Sequence, residues 1–333
     1  MKRVISWLVI LLLWEYLPAQ SDRLVHRVVL IGDAGKLVNG KIPAVEKFKS
    51  LNLPGDNTSI IYLGDNIYPN GLPDVNDPAF EEKRKVLDAQ VEPAHLSGAG
   101  IYFVPGNHDW AEGSPGGWTR VKNQQRYIDS LKLPNVHFYP KDGCPGPEEM
   151  VVNEKLVLVF MDSQWWIHRN EKPGTEDDCD CKTENEVLIR LKEIFSSHPG
   201  KMILLAMHHP LYTYGSHGGY FTLRQHFFPL TDVNEGLYIP LPVIGSLYPV
   251  VRGWFGSDQD IKHPVYKKLI EKTEEVLKTH PYAVHAAGHE HALQFLRHDQ
   301  CSLYRQRVRG KADKSEGREI QPVWRQRKWS CHY

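Results

Sequence analysis

The chain has 333 residues, 41% of them hydrophobic, and its 40 basic residues are matched by 40 acidic ones. That length holds one large domain or two small ones, at about 100–200 residues each. The balance of charge gives no net-charge argument for a nucleic-acid partner, because no overall basic excess is available to meet phosphates. The 17 histidines favour a metal site without locating one.

At the start, Lys2 and Arg3 precede the apolar run Val4 to Trp14, and Leu17-Pro18-Ala19 offers a small-residue exit. This is the pattern of a cleaved signal over residues 1–19. It is preferred to a membrane anchor because a spanning helix needs about 20 apolar residues. The expectation is a secreted or periplasmic protein, with a further possibility of outer-membrane association. Export permits disulfides. Cys144 paired with Cys179 or Cys181 is one reading and free thiols are the other, whereas Cys179-Asp180-Cys181 is too tight for a zinc knuckle.

In chain order, Leu24 to Ile31 reads as a buried strand ending in Gly32-Asp33-Ala34-Gly35. A helix follows from Pro43 to Ser50, then a strand from Ser59 to Leu63 that runs into Gly64-Asp65-Asn66-Ile67-Tyr68. Phe80 to Val91 has helical periodicity, and Ile101 to Val104 is a strand ending in Pro105-Gly106-Asn107-His108-Asp109. A helix is expected over Arg120 to Leu131, with short strands at Val136 to Tyr139 and Met150 to Asn153. Leu156 to Asp162 is a long apolar strand. Thr183 to Ser197 reads as a helix, with Thr183 and Glu186 spaced as a capping box. Met202 to Met207 is a strand that enters His208-His209-Pro210. A last helix, Pro264 to His280, leads to the strand Tyr282 to Ala287 and to Gly288-His289-Glu290-His291. The repeated unit of strand, glycine-bearing turn and helix predicts an α/β fold with ligands at the carboxyl ends of the strands. Gly218 to Lys262 is aromatic-rich and aperiodic, and reads as a lid or wall beside the site.

Taken alone, each strand-end motif has an ordinary reading; Asn107-His108-Asp109, for instance, could cap a helix. Five in succession, each after an apolar strand, point instead to a metal centre.

The ordered set Gly-Asp-x-Gly, Gly-Asp-x-x-Tyr, Gly-Asn-His-Asp, His-x-Pro and Gly-His-x-His resembles the calcineurin-like metallophosphoesterases over about residues 24–298. The resemblance implies a four-layer α/β/β/α sandwich of two mixed sheets with flanking helices. Gly35 in place of a metal-binding histidine, together with Tyr68, is similar to the purple acid phosphatase branch. A phenolate is a hard donor that suits Fe(III). The resemblance implies one metal ion on Asp33, Asp65, Tyr68 and His291, and a second on Asp65, Asn107, His208 and His289. Fe(III) is expected at the Tyr68 site, with Fe, Zn or Mn at the other. His208 is preferred to His209 because Pro210 sets the register of the motif. His108 is the expected general acid or phosphate donor, oriented by Asp109, and His217 a second donor.

The activity implied is metal-dependent hydrolysis of phosphate monoesters by a metal-activated water, acid phosphatase-like, with a phosphate ester as partner and no nucleic acid. A phosphodiesterase or nucleotide hydrolase, or a non-catalytic domain of a membrane-associated assembly, are the alternatives. Residues 299–333 depart from the family. They read as an irregular basic tail with no strand pattern. In a shifted frame, codons for Tyr-Arg-Gln-Arg-Val-Arg-Gly can encode Ile-Val-Ser-Gly-Ser-Gly, so the tail is read as a frameshift product. A C-terminal region missing from this chain would then provide membrane association.

Overall fold

The structure is a computed structural model, and it describes residues 24–232, 236–241, 244–247, 256–298 and 301–305. The signal-like segment and the tail beyond residue 305, with its frameshift reading, lie outside the described residues.

Among the described residues, ten strands form two sheets. The first is β1 (Arg27–Ile31), β2 (Thr58–Leu63), β3 (Gly100–Val104) and β4 (Val136–Phe138), in that order. Every pair in it is parallel. The second sheet has the order β5-β6-β7-β8-β10-β9. Its strands are β5 (Glu148–Val151), β6 (Leu156–Phe160), β7 (Met202–Ala206), β8 (Ala283–Ala287), β9 (Gln294–His298) and β10 (Cys301–Arg305). The central strands β6, β7 and β8 are parallel, while β5 and β9 pair antiparallel to their neighbours. The expectation of two mixed sheets therefore holds for the second sheet. The first is parallel throughout, because its connections run through helices rather than hairpins.

Side chains alternate across a strand, and that period places the layers. Ile61, Leu63, Tyr102 and Val104 of the first sheet pack against Leu156, Leu158, Phe160, Leu204, Ala206, Val284 and Ala286 of the second. The residues between them, such as Ile60, Tyr62, Ile101, Phe103, Val157, Val159, Ile203 and Leu205, belong to the core shared with the helices. The helices are α1 (Pro43–Ser50), α2 (Phe80–Ser97), α3 (Gly117–Ser130), α4 (Ser163–Ile167), α5 (Glu184–Ser197), α6 (Leu223–Phe227) and α7 (Pro264–Leu277). The result is the four-layer sandwich.

Some boundaries differ from the sequence reading. Helix α2 runs past Val91 through Pro93 to Ser97 and ends at left-handed Gly98. Pro93 and Ala94 are buried there, so packing overrides the proline. The short helix α4 was not anticipated; Asp162 caps it by accepting the Trp165 N–H at 3.0 Å. The tail departs from its irregular reading at its start, where Cys301–Arg305 forms β10 between β8 and β9. A slot with a strand on each side satisfies backbone groups on both edges, and this non-local pairing leaves no periodicity to read. The cysteines resolve to a Cys144–Cys179 disulfide and a buried, free Cys181. Among the described residues, no helix is long and apolar enough to cross a membrane.

Candidate metal centre

The turns after β1, β2, β3, β7 and β8 lie side by side, because the parallel register leaves these strand ends level. Four predicted ligands have left-handed backbones: Asp33 (φ 57°), Asp65 (φ 54°), His289 (φ 74°) and His291 (φ 48°). Non-glycine residues adopt this region at a cost, and such strain gathers at functional sites. Close backbone approach explains two glycines. A Cβ on Gly106 would lie 2.4 Å from both the amide nitrogen and Oδ1 of Asp65. A Cβ on Gly35 would lie 2.4 Å from the Asp65 carbonyl, so the position that lacks a histidine has no room for one.

The second donor cluster is defined by tautomers. His208 Nδ1 lies 2.8 Å from the Leu63 carbonyl, and His289 Nε2 lies 2.9 Å from the Gln259 carbonyl. A carbonyl can only accept, so both nitrogens are N–H donors and the other nitrogen of each ring carries a lone pair. Those two lone pairs, on His208 Nε2 and His289 Nδ1, face one another at 3.2 Å. Asn107 Oδ1 completes the triangle at 2.9 and 3.0 Å, and Asp65 Oδ1 lies 3.4 Å from His208 Nε2. Four acceptors converging in a buried space repel each other unless a cation stands between them. Donors bound to one ion at about 2.1 Å and at right angles lie about 3 Å apart, so the set fits a metal. Burial holds His289 well below the usual histidine range, so it is neutral and able to ligate.

The first cluster shares Asp65. Its Oδ2 lies 3.0 Å from the Tyr68 hydroxyl, which lies 2.9 Å from His291 Nε2. Asp33, Asp65 and His291 are close enough to hold one ion. Asp33 Oδ1 also accepts the His289 N–H at 2.7 Å, tying the two clusters together. Burial, then the Asp65 and Asp33 carboxylates, push the Tyr68 phenol well above its usual value. Its proton therefore stays on unless a cation replaces it. All seven predicted ligands are thus brought together. His209 also lies near His208 and His289, but its nitrogens are engaged by Ser163 Oγ and Gln259 Oε1, each at 2.8 Å. It is a structural histidine.

His108 sits at the edge of the first cluster. Its Nδ1 is 2.6 Å from the Pro69 carbonyl and 3.1 Å from Glu112, while Nε2 faces Asp65 Oδ2 at 4.0 Å. Burial works against its charge, yet Asp65 and the Pro69 carbonyl raise its pKa overall. The expected role of Asp109 is corrected. Its carboxylate is fully buried and accepts from Gly106 N, Asn66 N, Asn66 Nδ2 and Ile67 N at 2.8–3.2 Å. It braces the turn that carries Asp65, and the groups that hold the His108 ring are Pro69 and Glu112. Burial and Asp65 push the Asp109 carboxyl up to about 7. His217 packs against His289 with ring centroids 3.9 Å apart and the rings tilted by 35°, and its Nδ1 lies 2.8 Å from Asp260 Oδ1. Gln259, Asp260 and Glu112 had no sequence signal. Glu290, whose Oε1 accepts the His217 N–H at 3.2 Å, sat unremarked inside a quoted motif.

Comparison with known proteins bears on this site. Among solved structures, the chain is similar to GAP50, the anchor in the inner membrane complex of Plasmodium. That match has 17% identity and a TM-score of 0.46, covering 84% of this chain and 70% of the other. It is also similar to the phosphopantetheinyl hydrolase PptH of Mycobacterium tuberculosis. Here identity is 14% and the TM-score 0.39, covering 85% of this chain and 89% of the other. No curated protein matches. The profile of one family, described as calcineurin-like phosphoesterase, matches residues 26–293. A match that takes in every strand-end motif and both donor clusters settles the family: this chain belongs to the calcineurin-like phosphoesterases, metal-dependent hydrolases of phosphate esters.

Proposed function

We propose that this chain is an exported phosphomonoesterase of the purple acid phosphatase kind, with Fe(III) on the Tyr68 side and Fe, Zn or Mn on the other. The observation that carries the dinuclear reading is the pair of lone-pair nitrogens, His208 Nε2 and His289 Nδ1, fixed 3.2 Å apart by backbone carbonyls. Gly35 and Tyr68 carry the branch. The glycine leaves no room for a histidine, and the phenol oxygen stands between Asp65 and His291 as the replacement donor. Export is supported by the apolar start of the sequence and by the Cys144–Cys179 disulfide.

When bound, two ions polarise phosphate oxygens and supply an activated water at neutral pH. The chain's own residues do the rest. Asp65 spans the two clusters and sets their separation. Leu63 and Gln259 keep the histidine lone pairs aimed inward. His108 is held through Nδ1 by Pro69, which turns Nε2 toward the substrate side, where it can give a proton to the leaving oxygen. His217, packed against His289, would add a second polar group beside the second donor cluster.

The test is metal analysis of the purified protein with kcat/KM on a panel of phosphate mono- and diesters. Two ions per chain and a preference of about tenfold or more for monoesters are expected, about 1.4 kcal/mol of discrimination. A preference for diesters would count against the phosphomonoesterase reading and leave the family assignment in place.

A further inference from the structure

The aperiodic segment Gly218 to Lys262 returns to the protein body as part of the wall of the second donor cluster. The Gln259 carbonyl takes the Nε2–H of His289 at 2.9 Å. The Gln259 side chain contacts His209 Nε2 at 2.8 Å and donates to Gln164 Oε1 at 3.2 Å. Next to it, Asp260 is 2% exposed. One carboxylate oxygen meets His217 Nδ1 at 2.8 Å. The other accepts the Ser257 N–H at 2.7 Å and the Ser257 hydroxyl at 2.9 Å. The Ile261 N–H donates to the His217 carbonyl at 3.0 Å, so the loop and His217 are joined at both ends. His217 then packs on His289, with ring centroids 3.9 Å apart and the rings tilted by 35°.

The two histidines of the second cluster are therefore held differently. His208 is oriented by Leu63, a core strand residue that is completely buried. His289 is oriented by a loop. Building on the dinuclear reading above, we propose that residues 257–261 form the outer shell of the second ion. Asp260 is the positioning residue that keeps the Gln259 carbonyl and His217 docked on His289. Retention of the second ion then depends on this loop, and the first ion does not. If the loop leaves, the buried Nε2–H of His289 loses its acceptor and the ring is no longer committed to the ligating tautomer. Outer-shell partners of this kind change metal affinity by about 10–100-fold.

The test is Zn2+ titration of the metal-free protein against a competing chelator, with bound metal counted per chain. Asp260→Ala is expected to weaken the second binding constant by about 10–100-fold and to leave the first unchanged. A merely structural role for Asp260 would lower thermal stability without that selectivity. Equal second-site constants in both proteins would overturn the inference alone. A wild-type protein that takes up one ion would overturn the dinuclear reading and the inference with it. Should Asp260→Ala not fold, amide exchange on the wild-type protein decides. Binding is reciprocal, so loading the second ion must slow exchange at the Asp260, Ile261 and His263 amides, which donate to Ser257, His217 and Asp260. Unchanged exchange there would overturn the inference.

Discussion

His208 Nε2 and His289 Nδ1 face each other at 3.2 Å with their lone pairs converging, each committed by a carbonyl bonded to its other nitrogen. His208→Ala should therefore lose the second ion and keep the first. Transition-state charge stabilisation by a metal is worth several kcal/mol, so activity should fall by about a thousandfold or more. His209→Gln is the contrast: metal counts should stay at the wild-type level. Metal counting on the two variants checks both, and loss of metal from the His209 variant alone would reverse the ligand assignment.

Tyr68 is the group that distinguishes the first cluster. Half-buried beside the Asp65 and Asp33 carboxylates, its phenol keeps its proton unless a trivalent or divalent cation takes that place. With Fe(III) bound, the protein should show a visible charge-transfer band that Tyr68→Phe abolishes. An active, colourless enzyme containing Mn or Zn would overturn the iron assignment and leave the hydrolase assignment standing.

Asp109 is expected to act through the turn it braces. Asp109→Asn puts an amide where backbone N–H groups now donate, at a cost of about 1–3 kcal/mol for each donor left unmatched. Thermal stability and metal content should both fall. His108→Ala should instead lower kcat with both ions retained. Metal content and melting temperature measured beside kcat separate the two roles, and an Asp109→Asn variant with normal stability, full metal and low kcat would restore Asp109 to the chemistry.

His168 supplies an acid-sensitive element away from the metals. The residue is 3% exposed and its ring packs against Trp110 with centroids 4.7 Å apart and a tilt of 47°. Burial, then Lys172, pull its pKa down to about 4. Its folded pKa is depressed, so its contribution to stability is present above the unfolded value of about 6.5 and is lost as pH falls toward 4. His168→Phe keeps a ring against Trp110 and should lose less melting temperature between pH 7 and pH 5 than the wild type. Equal losses in the two proteins would sink this reading.

Much of the architecture was readable because the strands are short apolar runs. Ile60-Ile61-Tyr62-Leu63 and Leu156-Val157-Leu158-Val159-Phe160 are buried on both faces, so they carry their identity locally. Strand β10 was not readable, since its order comes from β8 and β9 on either side. The candidate ligands were readable as a group because each follows the end of an apolar strand. Asp260 and Gln259 were not, because a chain segment without periodicity gives no clue to where it folds back.

The order of motifs in the sequence named the candidate ligands Asp33, Asp65, Tyr68, Asn107, His208, His289 and His291, through the resemblance it carries. Only the tertiary structure decided how they are held. The tautomer of His289 depends on the carbonyl of Gln259, 30 residues away in sequence, and the role of Asp109 on amides of the neighbouring turn. Such hydrogen bonds are set by the meeting of distant backbone segments, and no local pattern of side chains encodes them.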